Sequence, residues 1–187
     1  MVAQDEPAPT MTVEEYLVLE EAAEVKHEYV HGYVYAMAGG TIDHDRIAHN
    51  VRAAIDSHLG DGPCTVLGPD VRVRVSPSVY YYPDILVTCD EMISGDAMEA
   101  PSPRLVVEIL SRPTEATDRG GKFGDYQTLV SLEEYVLVDS RRQVVECFRR
   151  TGPALWLYQR YRHGQSVTLD TIGLTLPVAA LYRRTRL

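Results

Sequence analysis

The segment from Tyr80 to Ser111 decides the fold. It opens Tyr80-Tyr81-Tyr82-Pro83-Asp84-Ile85-Leu86-Val87, passes through a polar excursion, and closes Pro103-Arg104-Leu105-Val106-Val107-Glu108-Ile109-Leu110-Ser111. Each half is a short apolar, β-branched run with turn residues beside it, the pattern of a strand buried on both faces. One carboxylate interrupts each run: Asp84 ahead of Ile85-Leu86-Val87, and Glu108 among five apolar neighbours. An acid in such surroundings loses hydration and needs a cation, a hydrogen-bonding partner or a proton. Two of them on neighbouring strands repel unless something positive lies between, and a divalent metal meets that need. The bland alternative pairs Glu108 with a core arginine and leaves Asp84 as a strand cap.

Working outward, 187 residues suit one domain with a full core, expected over 11–187. Residues 1–10 are polar, carry Pro7 and Pro9, and are expected to be a disordered tail. Hydrophobic residues make up 45% and charged residues 24%, ordinary for a soluble globular protein. No apolar run approaches a membrane span and no signal peptide opens the chain, so a cytoplasmic, non-membrane protein is expected. Cys64, Cys89 and Cys147 are isolated, odd in number and without metal-ligand spacing, and read as reduced core residues. The net charge of −9 argues against casual nucleic-acid binding, but from Arg141 onward nine arginines face only Glu146 and Asp170. That leaves +7 there against −16 in the first 140 residues. Such a region suits a phosphate-binding face, or else solvates strand faces and pairs with acids across the fold.

Thr12-x-x-Glu15 has the form of a capping box before a short amphipathic helix. Val25 to Met37 is aromatic and β-branched around Gly32, which predicts a hairpin or bent strand. Asp43 to Leu59 has helical spacing at Ile47, Val51, Ile55 and Leu59. Val66 to Val75 alternates as a strand, with Val71, Val73 and Val75 on one face. A helix is expected over 115–130, weakened by Gly120, Gly121 and Gly124. Tyr135 to Asp139 reads as a buried strand. Val144 to Arg149, Leu155 to Tyr161 and Val167 to Leu169 read as a meander, and Leu176 to Leu181 as one helical turn.

His27-Glu28-Tyr29-Val30-His31 matches the zinc-hydrolase pattern H-E-x-x-H, which needs both histidines on one helical face and a third ligand. Gly32 and the Tyr-Val-Tyr run favour extended backbone, which drives the histidines apart. Glu28 is another matter, since it can supply an outer carboxylate to a metal site. His44, at the start of its helix, and Asp70, ahead of the arginine-bearing alternation, are secondary candidates; each is as readily an exposed helix-start or turn residue. Gly120-Gly121-Lys122 lacks the spacing of a nucleotide loop.

An aspartate at a strand start, a glutamate in the next strand and a nearby lysine suit metal-dependent phosphodiester hydrolysis. Here the chain resembles the PD-(D/E)XK restriction-endonuclease-like superfamily. More closely, it is similar to the bacterial family of candidate endonucleases long known only as a domain of unknown function. Pro83-Asp84, Glu108-Ile109-Leu110-Ser111, Asp118-x-x-x-Lys122 with Tyr126, and Glu134 to Asp139 carry the likeness, with Thr12 to Tyr16 and Glu28 to Gly32 at its opening. The parent superfamily sets its lysine two residues after the glutamate; here that position is Leu110, and Lys122 is the substitute the nearer family implies.

The resemblance implies an α/β fold, a mixed central sheet flanked by helices, and Mg²⁺- or Mn²⁺-dependent hydrolysis of DNA. Asp84 and Glu108 would bind metal, Glu28 would assist, and Lys122 would position the nucleophile. It also implies a homodimer, since cutting two strands takes two sites. A catalytically silent nuclease-like fold that serves as a nucleic-acid or protein binding module is the alternative, and a zinc hydrolase the third.

Overall fold

The computed structural model describes residues 10–187 except Ala38, Glu91 and Met92. Helix α1 (Val13–Ala22) leads into strands β1 (His27–Val30) and β2 (Tyr33–Ala36), then helix α2 (Ile42–Leu59). Strands β3 (Thr65–Leu67), β4 (Val73–Ser76), β5 (Val79–Tyr81), β6 (Ile85–Thr88) and β7 (Pro103–Leu110) follow. Helices α3 (Glu115–Arg119) and α4 (Gly121–Tyr126) lead to β8 (Glu134–Asp139), β9 (Val144–Gly152) and β10 (Leu155–Arg162). The chain closes with β11 (Ser166–Leu169), β12 (Leu174–Pro177) and α5 (Val178–Leu181).

A six-stranded mixed sheet in the order β10-β9-β8-β7-β6-β3 forms the centre, and β2-β1-β5-β4 form a second sheet. Within the central sheet only β7 and β8 run parallel. A parallel pair needs a crossover, and α3 and α4 supply it. Burial follows the two-residue period of β7. Leu105, Val107 and Ile109 face α2, α5, β11 and β12, whereas Val106 and Leu110 face α4 and the second sheet. Glu108 shares the parity of Val106 and Leu110, so its carboxylate stands on the α4 side.

The expected halves of the Tyr80–Ser111 stretch divide between the sheets. Tyr80 and Tyr81 end β5, Tyr82-Pro83-Asp84 crosses over, and β6 pairs antiparallel with β7. Thr12 and Glu15 form the capping box: the Glu15 N–H donates to Thr12 Oγ1 at 3.2 Å and the Thr12 N–H to Glu15 Oε2 at 2.8 Å. The hairpin around Gly32 is present as β1–β2, turning through His31 and Gly32 at φ 49° and 94°. Paired positive φ values match the right-handed twist of the flanking strands.

Several expectations are corrected. The alternation over 66–75 is broken by Gly68-Pro69-Asp70 into β3 and β4, which belong to different sheets. The helix over 115–130 is two short helices parted at Gly120 (φ −111°, ψ −102°), and the second stops at Tyr126. The meander ends after β10: β11 pairs with β12 instead. Leu176 and Pro177 are strand, and only Val178–Leu181 is helical. Cys64 and Cys89 are not reduced core residues but a disulfide; only Cys147 is a free, buried thiol. Thr65 pairs with Thr88 across β3 and β6, which sets the two cysteines opposite one another. The expected disordered tail falls almost wholly outside the described residues.

Candidate active site

The β6–β7 register pairs Ile85 with Val107, and one step further sets Asp84 opposite Glu108 on the same face. The backbone ties them: the Asp84 N–H donates to Glu108 Oε2 at 3.3 Å, and the Ile109 N–H donates to Asp84 Oδ2 at 2.7 Å. Lys122 rises from α4 beneath this pair. Its Nζ lies 2.7 Å from Glu28 Oε1 and 3.0 Å from Glu108 Oε1. Glu28 comes from β1 in the second sheet and also accepts the Tyr82 N–H at 3.2 Å. The Tyr82–Asp84 crossover thus links the sheet that holds Glu28 to the sheet that holds Glu108.

Glu108 and Lys122 are almost fully enclosed, at 4% and 6% side-chain exposure, whereas Asp84 is 20% exposed. Burial pushes the Glu108 carboxyl well above the usual range; Lys122 opposes this, while Asp84 and Asp118 add to it. For Lys122, burial works against the charge, but Glu108, Glu28 and Asp118 outweigh it and keep the ammonium protonated. The Lys122–Glu108 approach is an ion pair without hydrogen-bond angles, so Glu108 Oε1 and the Tyr126 hydroxyl are buried without a hydrogen-bond partner among the described residues. One lysine therefore serves Glu28, Glu108 and Asp118, with Asp84 beside Glu108, and the carboxylates of the site outnumber its lysine. Asp84 and Glu108 are the pair that can share a cation through that charge.

The secondary candidates divide. His44, at the start of α2, brings Nε2 to 3.5 Å from Asp84 Oδ2 and so belongs to the cluster. Burial lowers its pKa, but the Asp84 hydrogen bond and charge prevail and hold it above the ordinary histidine value. Asp70 pairs instead with Lys26 on the surface and stands outside the cluster. His27 and His31 share no site: His27 Nδ1 meets Glu20 at 3.1 Å and His31 Nδ1 meets Ser78 at 2.9 Å, from opposite ends of an extended strand. The zinc-hydrolase pattern is thus overturned by backbone geometry.

Asp118 enters the sequence reading only as the first position of a motif. The structure buries it at 4% exposure near the end of α3, with burial raising its pKa against the pull of Lys122 and a Thr114 hydrogen bond. Its signal in the sequence is the Asp118-x-x-x-Lys122 motif itself; the break at Gly120 puts the two residues on separate helices, so helical periodicity does not bring them together. Among the described residues, no group of three or more His, Cys, Asp or Glu side chains is arranged to hold a metal.

Outer arginines fix the elements that deliver these groups. Arg119 pairs with Glu115 and with the buried Glu146 of β9, pinning α3 to the sheet. Arg150 donates to the carbonyls of Gln127, Leu129 and Leu132 at 2.7–2.9 Å, holding the turn after α4. Much of the carboxy-terminal arginine excess is therefore internal, as the bland alternative held.

The comparisons with known proteins agree with this architecture. A family model described as "Uma2: Putative restriction endonuclease" matches residues 13–179. An uncharacterized protein of Synechocystis sp. is 36% identical over 178 residues, covering 95% of this chain and 94% of its own length. A second from the same organism is 32% identical over 150 residues, covering 79% and 85%. The crystal structure of "a putative nuclease belonging to DUF820" from Anabaena variabilis shares the fold with a TM-score of 0.77 at 18% identity, over 92% of this chain and 97% of that one. The chain belongs to the Uma2 family and has the PD-(D/E)XK restriction-endonuclease-like fold.

Proposed function

We propose that this protein is a Mg²⁺- or Mn²⁺-dependent endonuclease that hydrolyses DNA phosphodiester bonds at the Asp84–Glu108 pair. One observation carries the reading: two carboxylates stand opposite each other on adjacent strands, on the face where a buried lysine contacts one of them. Family membership and the fold shared with a structure titled a nuclease point the same way.

The donor set fits such a cation. Mg²⁺ keeps several waters and is commonly held by one or two carboxylates plus substrate phosphate oxygens, so a cage of three protein ligands is not required. Glu108 Oε1 is a buried acceptor without a hydrogen bond, and the contacts of the Asp84 side chain among the described residues all fall on Oδ2, leaving Oδ1 on the more open side chain. When bound, the cation supplies Lewis-acid polarisation of the phosphate and a water of lowered pKa. Asp84 and Glu108 would hold it. Lys122, fixed between Glu28 and Glu108, presents a permanent positive charge that orients the attacking water and steadies charge developing on the phosphate. Glu28 acts through Lys122 as a positioning residue. His44 donates to Asp84 and fixes which oxygen remains for the cation.

Incubation of supercoiled plasmid with Mg²⁺ tests the reading. The wild-type protein is expected to nick or linearise it, and Asp84→Asn, Glu108→Gln and Lys122→Met to lose about 100-fold or more of the rate, as expected when an electrostatic element of the transition state is removed. Full cleavage by Asp84→Asn would remove the assignment. DNA binding with no cleavage under any divalent cation would favour the silent binding module.

A further inference from the structure

We propose that Arg183, Arg184 and Arg186, with Arg46, form a fixed basic ridge that takes the phosphate backbone of DNA beside the active-site end of α2. The identity of the polyanion rests on the nuclease reading; the ridge itself rests on how the carboxy-terminal arginines are used.

Of the nine arginines from Arg141 onward, five are engaged internally. Arg141 and Arg142 pair with Asp139, Arg149 with Glu134 and Asp170, and Arg160 with Glu146, while Arg150 binds carbonyls and lies over the Trp156 ring. Arg183, Arg184 and Arg186 are exposed, and no acidic side chain among the described residues pairs with them. They lie beyond residue 179, where the family match ends.

The tail is nevertheless held in place, through its backbone carbonyls and without any acidic partner among the described residues. Asn50 Nδ2 donates to the carbonyls of Leu181 and Arg183, both at 2.9 Å. Arg46 Nη1 donates to the Arg184 carbonyl at 2.8 Å, which brings a fourth guanidinium into the group. Thr185 Oγ1 donates to the Tyr182 carbonyl at 2.7 Å, and buried Tyr182 donates its hydroxyl to the Asp139 carbonyl at 3.0 Å. Arg184 keeps a left-handed backbone, φ 64°, which a non-glycine residue adopts only when its surroundings hold it there. The backbone is thus ordered without help from the guanidiniums of Arg183, Arg184 and Arg186. Side chains without a partner among the described residues, on a backbone tied down by hydrogen bonds, are pre-organised for a ligand.

Direction matters as well. The tail passes from Asn50 to Arg46, towards the end of α2 where His44 meets Asp84. Arg46 is two residues past His44, about 3 Å along the helix axis. The acids of that first turn, Asp43 and Asp45, stand against four arginines and leave the locality at +2. On a chain of net charge −9, a phosphate backbone needs such a local positive surface to approach at all.

The test is fluorescence anisotropy of a short labelled DNA duplex with chelator present, over a KCl series, for the wild-type protein, the triple variant R183Q/R184Q/R186Q and the triple variant R183K/R184K/R186K. The glutamine variant is expected to bind more weakly, with a slope of log affinity against log salt shallower by about 2 to 3, as loss of two or three phosphate contacts gives. The lysine variant is expected to restore most of the slope, and the thermal melts of all three to coincide. An unchanged slope in the glutamine variant, or no salt-dependent binding by the wild-type protein, overturns the ridge. Failure of the two readings separates cleanly. Ridge-dependent binding without Mg²⁺-dependent cleavage retains the ridge and removes the nuclease. Cleavage with a ridge-independent slope does the reverse.

Discussion

Lys122 Nζ stands 3.0 Å from Glu108 Oε1, so one ion pair joins the short helix α4 to the buried strand β7 of the central sheet. The same nitrogen reaches Glu28 on the second sheet at 2.7 Å. Three elements therefore converge on one ammonium, and the carboxylates around it outnumber it. The site is stable only to the extent that this single cation, or another, offsets their repulsion.

Lys122→Met is accordingly expected to destabilise the metal-free protein by about 3 kcal/mol, the range for stripping the partner from a buried charge. Adding Glu108→Gln to that variant is expected to recover part of the loss, since the orphaned charge is then gone. Urea unfolding of the two single variants and the double variant checks this. Strict additivity would show that the two residues are not coupled.

The pH dependence has a definite sign. Burial raises the Glu108 carboxyl above its unfolded value, so its favourable contribution is complete below the ordinary glutamate range and is lost as pH rises through the folded value. In chelator, the stability of Glu108→Gln relative to the wild-type protein should therefore increase as pH is raised from the ordinary glutamate range through the raised folded value. Mn²⁺ should restore the wild-type protein at the upper end and leave the variant unmoved. Urea midpoints across that interval decide it; a difference that shrinks with pH would contradict the assignment.

The Cys64–Cys89 bridge closes a separation of 25 residues, for which the chain-entropy relation gives about 3.5 kcal/mol. Thiol titration of the denatured protein should find one reactive thiol, Cys147, before reduction and three after it. The melting temperature should fall on reduction. Three thiols without reductant would remove the bridge.

Gly32→Ala should destabilise by about 1–3 kcal/mol, the cost of a left-handed non-glycine residue. The added Cβ would also lie 2.7 Å from Thr10 Cβ. Because the turn fixes β1, the variant should weaken Mg²⁺-dependent cleavage through Glu28, two strand positions from the turn. Denaturant midpoints and cleavage rates check both effects.

Much of this was legible in the chain because burial imposes a readable pattern on strands. The apolar runs around Asp84 and Glu108 located β6 and β7, and the two-residue period placed Glu108 on a definite face once β7 was known. Gly120 marked the weak point of its helix, though only the structure shows that the chain breaks there. What remained hidden depends on register between distant strands. Cys64 and Cys89 look isolated until β3 lies against β6. Asp70 looked close to the arginine face but turns outward to Lys26. His44 could not be told from an exposed helix-start residue until α2 packed its amino end against Asp84. The arginines from Arg141 onward read equally as a phosphate-binding face or as internal partners, and the fold divides them: Arg141 reaches Glu115 of α3, Arg149 and Arg160 pair with acids of the sheet, and Arg150 holds the turn after α4.

Titration calorimetry with Mn²⁺ tests the central claim most directly, because it reads the cation at the carboxylate pair without requiring a substrate. The wild-type protein is expected to bind Mn²⁺ saturably, with Asp84→Asn and Glu108→Gln each abolishing the heat and Asp70→Asn leaving it unchanged. Saturable binding that survives both Asp84→Asn and Glu108→Gln, or no binding by the wild-type protein, would contradict a cation shared between those two side chains.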